Sequence, residues 1–218
     1  MDNIYVKKKN ESVLHVGTDM GISNELSDFF SFFVPGYKFM PAYKNRVWDG
    51  KVRLFNAQSC ELPVGLFPYL QEFAGPRQYT VEVDHDAFYG IPGSTIDVDI
   101  DEFVKFVEEL NLSSRGKKIK PRDYQLEAVL EGIHRKRAIL LSPTGSGKSL
   151  IIYLLMRYLL ERTQKKVLII VPTTSLVQQM YADFEDYSAY DDSWNPETEC
   201  HRIYSGKPKT NLSENIIV

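Results

Sequence analysis

The residue types best suited to chemistry sit together at Ser142–Ser149, which reads Ser-Pro-Thr-Gly-Ser-Gly-Lys-Ser. A predicted short buried strand, Ala138–Leu141, runs into this stretch, and a predicted apolar helix, Ser149–Glu161, leaves it. Gly145 and Gly147 allow backbone angles and a close approach that a Cβ would block. The loop amides and the helix N-terminus then converge on one cavity and favour an anion. Lys148 would reach the outer phosphates of a nucleoside triphosphate, and the Ser149 hydroxyl would ligate its Mg2+. Pro143, Thr144, Gly145, Ser146, Gly147, Lys148 and Ser149 are therefore the expected nucleotide-binding set. Lys148 and Ser149 are the expected catalytic pair, and Ser149 is the metal contact through the nucleotide.

The strict pattern G-x-x-x-x-G-K-[ST] opens with glycine where this chain has Ser142, yet its "PTGSGKS" core resembles the form found in superfamily 2 helicases. Upstream lies "KPRDYQLEAVLEGI", Lys120–Ile133, with Gln125 standing 17 residues before Ser142. It resembles the adenine-reading element of helicases. A Gln amide can both donate to and accept from the adenine edge, so Gln125 is the expected base reader. Arg122 is a candidate for stacking or phosphate contact. ATP is accordingly the expected nucleotide. Downstream, "VLIIVPTTSLVQQM" places Pro-Thr-Thr between a predicted strand, Val167–Val171, and a predicted helix from about Ser175 to Tyr187. Thr173 or Thr174 can cap that helix. The match to the helicase element "PTxxLxxQ" implies that Pro172, Thr173, Thr174 and Gln179 meet the phosphate backbone of a nucleic-acid strand.

Hydrolysis asks for more than this. Superfamily 2 enzymes carry an Asp-Glu box at the end of a later buried strand, for Mg2+ and the attacking water. The Asp-Glu pair of this chain, Asp101-Glu102, precedes the phosphate loop and opens an amphipathic helix. Asp183, Glu185 and Asp186 fall on a predicted helix, and Asp191-Asp192 in a polar loop. The 218 residues are thus expected to bind nucleotide without hydrolysing it usefully, as an N-terminal piece of a longer motor. An exposed sheet edge is expected after Val218.

A second chemical theme lies in "YKNRVWDGKVRLF", Tyr43–Phe55. Lys44, Arg46, Lys51 and Arg53 are interleaved with Tyr43 and Trp48, a mixture that suits phosphates and stacked bases. Trp48 reads equally as a wedge at a fork or as a core residue. A further basic cluster holds five cations in eight residues, Arg115, Lys117, Lys118, Lys120 and Arg122. It reads as a DNA contact or a solvated linker. Glu82–Glu109 holds nine acids against Lys105, so one face of its domain should repel DNA. The four histidines are scattered, and no metal shell or Ser/His/Asp arrangement follows from their spacing.

The elements that must position these residues fall into two textures. Residues 1–112 are predicted as a small α+β accessory domain that binds DNA. It contains a strand at Val13–Val16 and a helix capped by Ser23 whose face carries Leu26, Phe29, Phe30 and Phe33. Asp49-Gly50 predicts a tight hairpin turn, Leu66–Phe73 a helix despite Pro68, and Tyr79–Val83 a strand. Phe103, Phe106, Val107 and Leu110 give the face of an amphipathic helix. Residues 113–120 are predicted as a basic linker. From 121 to 218 strands alternate with helices, ending in a strand start at Ile216–Val218. That alternation predicts the first part of a RecA-like, P-loop NTPase parallel-sheet domain, and an α/β fold class for the chain.

Bulk properties narrow the class. At 43% hydrophobic and 25% charged residues with a net charge of −3, the composition is that of a globular protein. Cys60 and Cys200 form no CxxC or Cys/His spacing, which fits a reducing compartment. No apolar run is long enough for a membrane span, so no membrane partner is expected.

The N-terminal run "YKNRVWDGKVRLF…LPVGLFPYLQEF", followed by an acidic segment, a basic linker and "PRDYQLEAV", resembles the UvsW recombination helicases of tailed phages over most of the chain. The resemblance implies an ATP-driven DNA translocase that unwinds or branch-migrates junctions, D-loops and stalled forks. It implies branched or single-stranded DNA as partner, a monomer, and the host cytoplasm as location. Another superfamily 2 motor, such as a restriction-type translocase or an RNA helicase, is the nearest alternative. A non-catalytic ATP- or DNA-binding module is the other.

Overall fold

The computed structural model describes residues 3–163, 165–207 and 213–218, and the chain divides into two compact units, Met1–Ser94 and Thr95–Val218.

In the first unit β1 (Asn3–Lys8) pairs antiparallel with β2 (Val13–Gly17), with Val6 opposite Val16. Helix α1 (Met20–Phe29) follows and buries Ile22 and Leu26. Its N-cap is Asp19, whose carboxylate accepts from the Ile22 amide at 2.9 Å, not Ser23, which lies inside the helix. Strand β3 (Ser31–Phe33) is next, so Phe33 leaves the helical face where periodicity had put it and is half exposed. The short helix α2 (Pro41–Lys44) precedes β4 (Lys51–Arg53). β4 pairs with β3, Phe32 opposite Val52, so Asp49-Gly50 does not join two arms of a tight hairpin. The loop between the arms instead coils through Tyr37–Phe39 and α2, and Gly50 at φ +83° ends it. There the Tyr37 ring fills the space a Cβ would take. β5 (Glu61–Pro63), α3 (Phe67–Arg77) and β6 (Thr80–Val83) complete the unit. The sheet order is β5-β2-β1-β6, with β6 parallel to β1. Alternate residues Ile4, Val6, Leu14 and Val16 point to one face and pack with Leu26, Phe55, Leu70 and Phe73.

The second unit opens with α4 (Ile100–Glu109), capped by Asp99 with Asp101 and Glu102 in its first turn. Phe103 and Phe106 pack edge-on to Tyr158, so this helix belongs to the second core. The boundary at 112 expected from texture therefore moves to Ser94/Thr95. β7 (Ser113–Ser114) and β8 (Lys117–Lys118) then form a hairpin where a linker was expected. Arg115 and Gly116 both have positive φ, 52° and 70°, the geometry of a two-residue turn that matches strand twist.

Helix α5 (Asp123–Arg135) leads to the loop at 142–149 and α6 (Lys148–Arg162). β9 (Val167–Leu168), α7 (Thr174–Tyr187), the short α8 (Pro196–Glu199), β10 (Cys200–His201) and β11 (Ile216–Ile217) follow. The sheet is parallel in the order β10-β11-β9, which puts the strand start read at Ile216 in the middle. Ala138–Leu141 is not a strand. It has no ladder partner among the described residues, so Leu140 packs inward while Ile139 and Leu141 lie almost fully exposed. For the same reason the strand read over Val167–Val171 shrinks to β9, although the Ile169 amide still donates to the Ile217 carbonyl. Burial of Tyr153, Leu154 and Met156 anchors α6, each fully buried chain contributing about 1.5–3 kcal/mol. A firmly held α6 fixes where the loop before it can sit.

Candidate nucleotide and nucleic-acid sites

Two left-handed glycines shape the 142–149 loop, Gly145 at φ +82° and Gly147 at φ +78°. Gly147 is the N-cap position of α6, and no side chain caps that helix, so its first amides are left to the loop cavity. Space is open around Gly145. Lys148 Nζ folds over the loop and donates to the Ser142 and Pro143 carbonyls at 3.0 and 2.7 Å. Ser146 Oγ donates to the Pro143 carbonyl at 2.8 Å and also meets Ser142 Oγ. A pocket of about 600 Å³ opens beside the loop, lined by Arg122, Tyr124, Ile139, Leu141 and residues 142–146. The donor set suits a polyphosphate: amides at a helix start, one ammonium and one hydroxyl.

Gln125 is buried, and both ends of its amide are engaged inside the protein. Oε1 accepts from the Arg122 amide at 2.9 Å, the return half of a capping box, and Nε2 donates to the Ser146 carbonyl at 2.9 Å. One N–H and one lone pair remain for a base edge. Tyr124 donates to the same Ser146 carbonyl at 2.8 Å, and Arg122 Nη1 reaches the Tyr124 hydroxyl at 3.4 Å. Arg122, Tyr124 and Gln125 therefore converge on the loop. Tyr124 was not among the residues that sequence singled out, although it sits inside the motif that pointed to its neighbours.

Ser149 Oγ lies 2.8 Å from the Tyr187 hydroxyl at the far end of α7. The next residue back, Asp186, accepts from the Arg115 amide at 2.7 Å and from Ser114 Oγ at 3.0 Å. Its carbonyl accepts from the buried Ser113 hydroxyl. The basic segment is thereby fastened to α7. Nothing in the local sequence links Ser149 to a residue 38 positions on.

At the other end of α7, Thr173 is the N-cap and accepts from the Leu176 amide at 3.3 Å. Pro172, Thr173, Thr174 and Gln179 are all exposed, and the neighbouring Gln178 accepts from Arg202 at 2.8 Å.

In the first unit the basic set divides. Lys44 and Arg46 are exposed and, among the described residues, stand in no ion pair. Lys51 Nζ lies 5.2 Å over the Phe33 ring. Arg53 pairs with Asp49; that guanidinium, then the Lys51 amide, holds the Asp49 carboxyl down at about 2. Trp48 is half-buried with its ring N–H donating to the Lys51 carbonyl at 2.8 Å, so it braces β4 and lies outside the hydrophobic core. Phe33 and Tyr37 stack at 4.7 Å.

Comparison with known proteins follows the two units. Residues 3–84 match the family described as DNA helicase UvsW, N-terminal, and residues 118–218 match Type III restriction enzyme, res subunit. The ATP-dependent DNA helicase uvsW of Enterobacteria phage T4 is 40% identical over 167 residues, which is 77% of this chain and 32% of that protein. The chain thus spans well under half the length of this curated relative. A crystal structure of the UvsW helicase from bacteriophage T4 superposes with a TM-score of 0.85 at 33% identity, covering 100% of this chain and 74% of that one. A second crystal structure of T4 UvsW gives the same TM-score and identity while 42% of its chain is covered. Among the described residues, no helix is long and apolar enough to cross a membrane.

Proposed function

The chain belongs to the UvsW helicase family, and from that membership we propose that it carries the nucleotide-binding and DNA-contacting part of an ATP-dependent DNA helicase. The motor would drive branch migration at recombination or stalled-fork junctions. The observation that carries the reading is the loop at 142–149: two left-handed glycines, an uncapped helix start and Lys148 over its mouth.

In this reading the amides of α6 and Lys148 hold the phosphates, and Ser149 offers its oxygen to Mg2+. The ion, when bound, neutralises phosphate charge and polarises the bond to be broken. Lys148 exchanges two carbonyl acceptors for phosphate oxygens, a gain because charge-assisted bonds to an anion are the stronger ones. Gln125 reads the adenine edge with its unused N–H and lone pair, and the Ser146 contact ties base recognition to loop shape. Arg122 and Tyr124 flank the base. Pro172, Thr173 and Thr174, with Gln179, offer the α7 N-terminus to a strand's phosphates, and Lys44, Arg46, Lys51 and Arg53 meet DNA on the first unit. The acting form is a monomer in the host cytoplasm. A restriction-type translocase is the second reading, favoured by the match of residues 118–218.

The test uses the 218-residue chain. It should bind Mg·ATP by calorimetry, and Lys148→Ala should weaken binding by roughly tenfold or more, as expected for losing a charge-assisted phosphate contact. No Asp-Glu box follows the loop in these residues, so phosphate release should stay at background with DNA present. DNA-stimulated turnover, or equal affinity in Lys148→Ala, would sink the reading.

A further inference from the structure

The Ser149–Tyr187 contact belongs to none of the motifs read from the sequence. Ser149 opens α6, Tyr187 closes α7, and their hydroxyls meet at 2.8 Å. Three observations show that Tyr187 is held there. Its ring packs edge-on to Tyr153 at 5.5 Å, and Tyr153 is fully buried against Phe184 and Trp194. The adjacent Asp186 fastens the end of α7 to the 113–118 hairpin through Ser114 and Arg115. Ser188, the next residue on, is buried and donates to the Phe184 carbonyl at 2.8 Å. The phenol oxygen is therefore a fixed point beside a serine that can rotate.

A serine that ligates a cation gives a lone pair to the metal, and its hydroxyl proton, made more acidic, then needs an acceptor. Groups that take up the far side of a metal ligand orient it and strengthen its donation. Tyr187 has the chemistry for this. A phenol hydroxyl, unlike a carboxylate, is an uncharged acceptor that does not compete for the ion.

We propose that Tyr187 is a positioning residue of the nucleotide site: its hydroxyl accepts the Ser149 Oγ proton and turns the serine lone pairs toward the Mg2+ of a bound nucleotide. The inference rests on the reading of residues 142–149 as an ATP site. It adds to that site a residue 38 positions away that works through Ser149 and touches no nucleotide.

The experiment is a set of ATP dissociation constants for the 218-residue chain, each measured in Mg2+ and in EDTA. The quantity read is the Mg2+-dependent gain, the ratio of the two. Tyr187→Phe removes one oxygen and keeps the ring packing, and far-UV and near-UV dichroism check the fold. It should cut the gain by about tenfold, the low end for loss of a group behind a metal ligand, and leave affinity in EDTA unchanged. Ser149→Ala should abolish the gain, and adding Tyr187→Phe to it should change nothing further. An unchanged gain in Tyr187→Phe overturns the proposal. So does equal weakening with and without Mg2+, which marks a packing role, or an effect that survives in the Ser149→Ala background. If the unaltered chain binds no ATP in either buffer, the nucleotide site itself falls and this role falls with it. If it binds ATP normally, a failure concerns Tyr187 alone.

Discussion

A methyl group added to Gly147 would lie 2.4 Å from Gln125 Nε2, at a backbone φ of +78° that side chains rarely adopt. Gly145 has nearly the same φ, +82°, but nothing within 4 Å of the added atom. The two glycines thus separate conformational cost from steric cost. Gly145→Ala should destabilise the second unit by about 1 kcal/mol, the penalty for a Cβ in the left-handed region. Gly147→Ala should cost about 2 kcal/mol, because Gln125 must also release the Ser146 carbonyl, a bond contributing about 1 kcal/mol. Urea unfolding of both variants checks this, and equal costs would refute the role given to Gln125 as the brace of the loop. Glycines at 145 and 147 were legible as residues that permit a tight loop. What crowds Gly147 was not, because Gln125 meets it only after α5 has folded against α6.

Between elements, the most deeply buried ion pair among the described residues joins α6 to the segment after α7. Arg157 and Asp191 form an ion pair whose side chains are 10% and 4% exposed. Arg157 also donates to Tyr153 Oη at 2.8 Å and stacks on Trp194. Burial pushes the Asp191 carboxyl up, but hydrogen bonds from Ser193 and Arg157 outweigh it, and the net shift is downward. A carboxyl whose folded pKa is lowered adds stability that is complete above its unfolded value, about 3.9. That contribution disappears as pH falls through the folded value. Asp191→Ala should therefore cost about 3 kcal/mol near pH 7, the low end for orphaning a buried charge, since Arg157 keeps its other partners. The difference from the unaltered chain, read from urea midpoints, should hold from pH 8 to 5 and shrink below about pH 4. A pH-independent difference would reject the ion pair as its source. The sequence marked Asp191 only as an acid in a polar loop. The helices over 100–109, 148–162 and 174–187 were legible because apolar periodicity and caps are local properties. The hairpin at 113–118 was hidden, because its anchor, Asp186, lies 71 positions beyond Arg115.

At the scale of the molecule, charge and aromatic exposure gather on the 31–53 segment of the first unit, where Phe32, Phe33 and Phe39 are 50%, 51% and 80% exposed. If this face meets DNA, its free cations set the salt dependence. Arg53 is already neutralised by Asp49, whereas Arg46 stands in no ion pair among the described residues and Lys51 rests on an aromatic ring. Alanine at Arg46, Lys51 and Arg53 together should weaken binding to single-stranded and forked DNA. It should flatten the slope of log K against log salt by about 2, since each lost phosphate contact is worth about 0.9 and Arg53 should add little. Binding with an unaltered slope would place the DNA contact elsewhere.

The sequence by itself determined the two-glycine loop at 142–149, the capped α7 with its Pro-Thr-Thr start, and the family. Each rests on residues close together in the chain, where backbone freedom, capping and spacing act directly. Tertiary structure alone decided where one unit stops and the next begins, because α4 could bury its face in either core and packs on Tyr158. It decided that Asp49-Gly50 closes a long coiled loop, and that Ile139 and Leu141 stay exposed, since a strand needs a partner that its own residues cannot supply. It also brought Tyr187 to Ser149, a meeting fixed by how two helices pack and invisible to any local pattern.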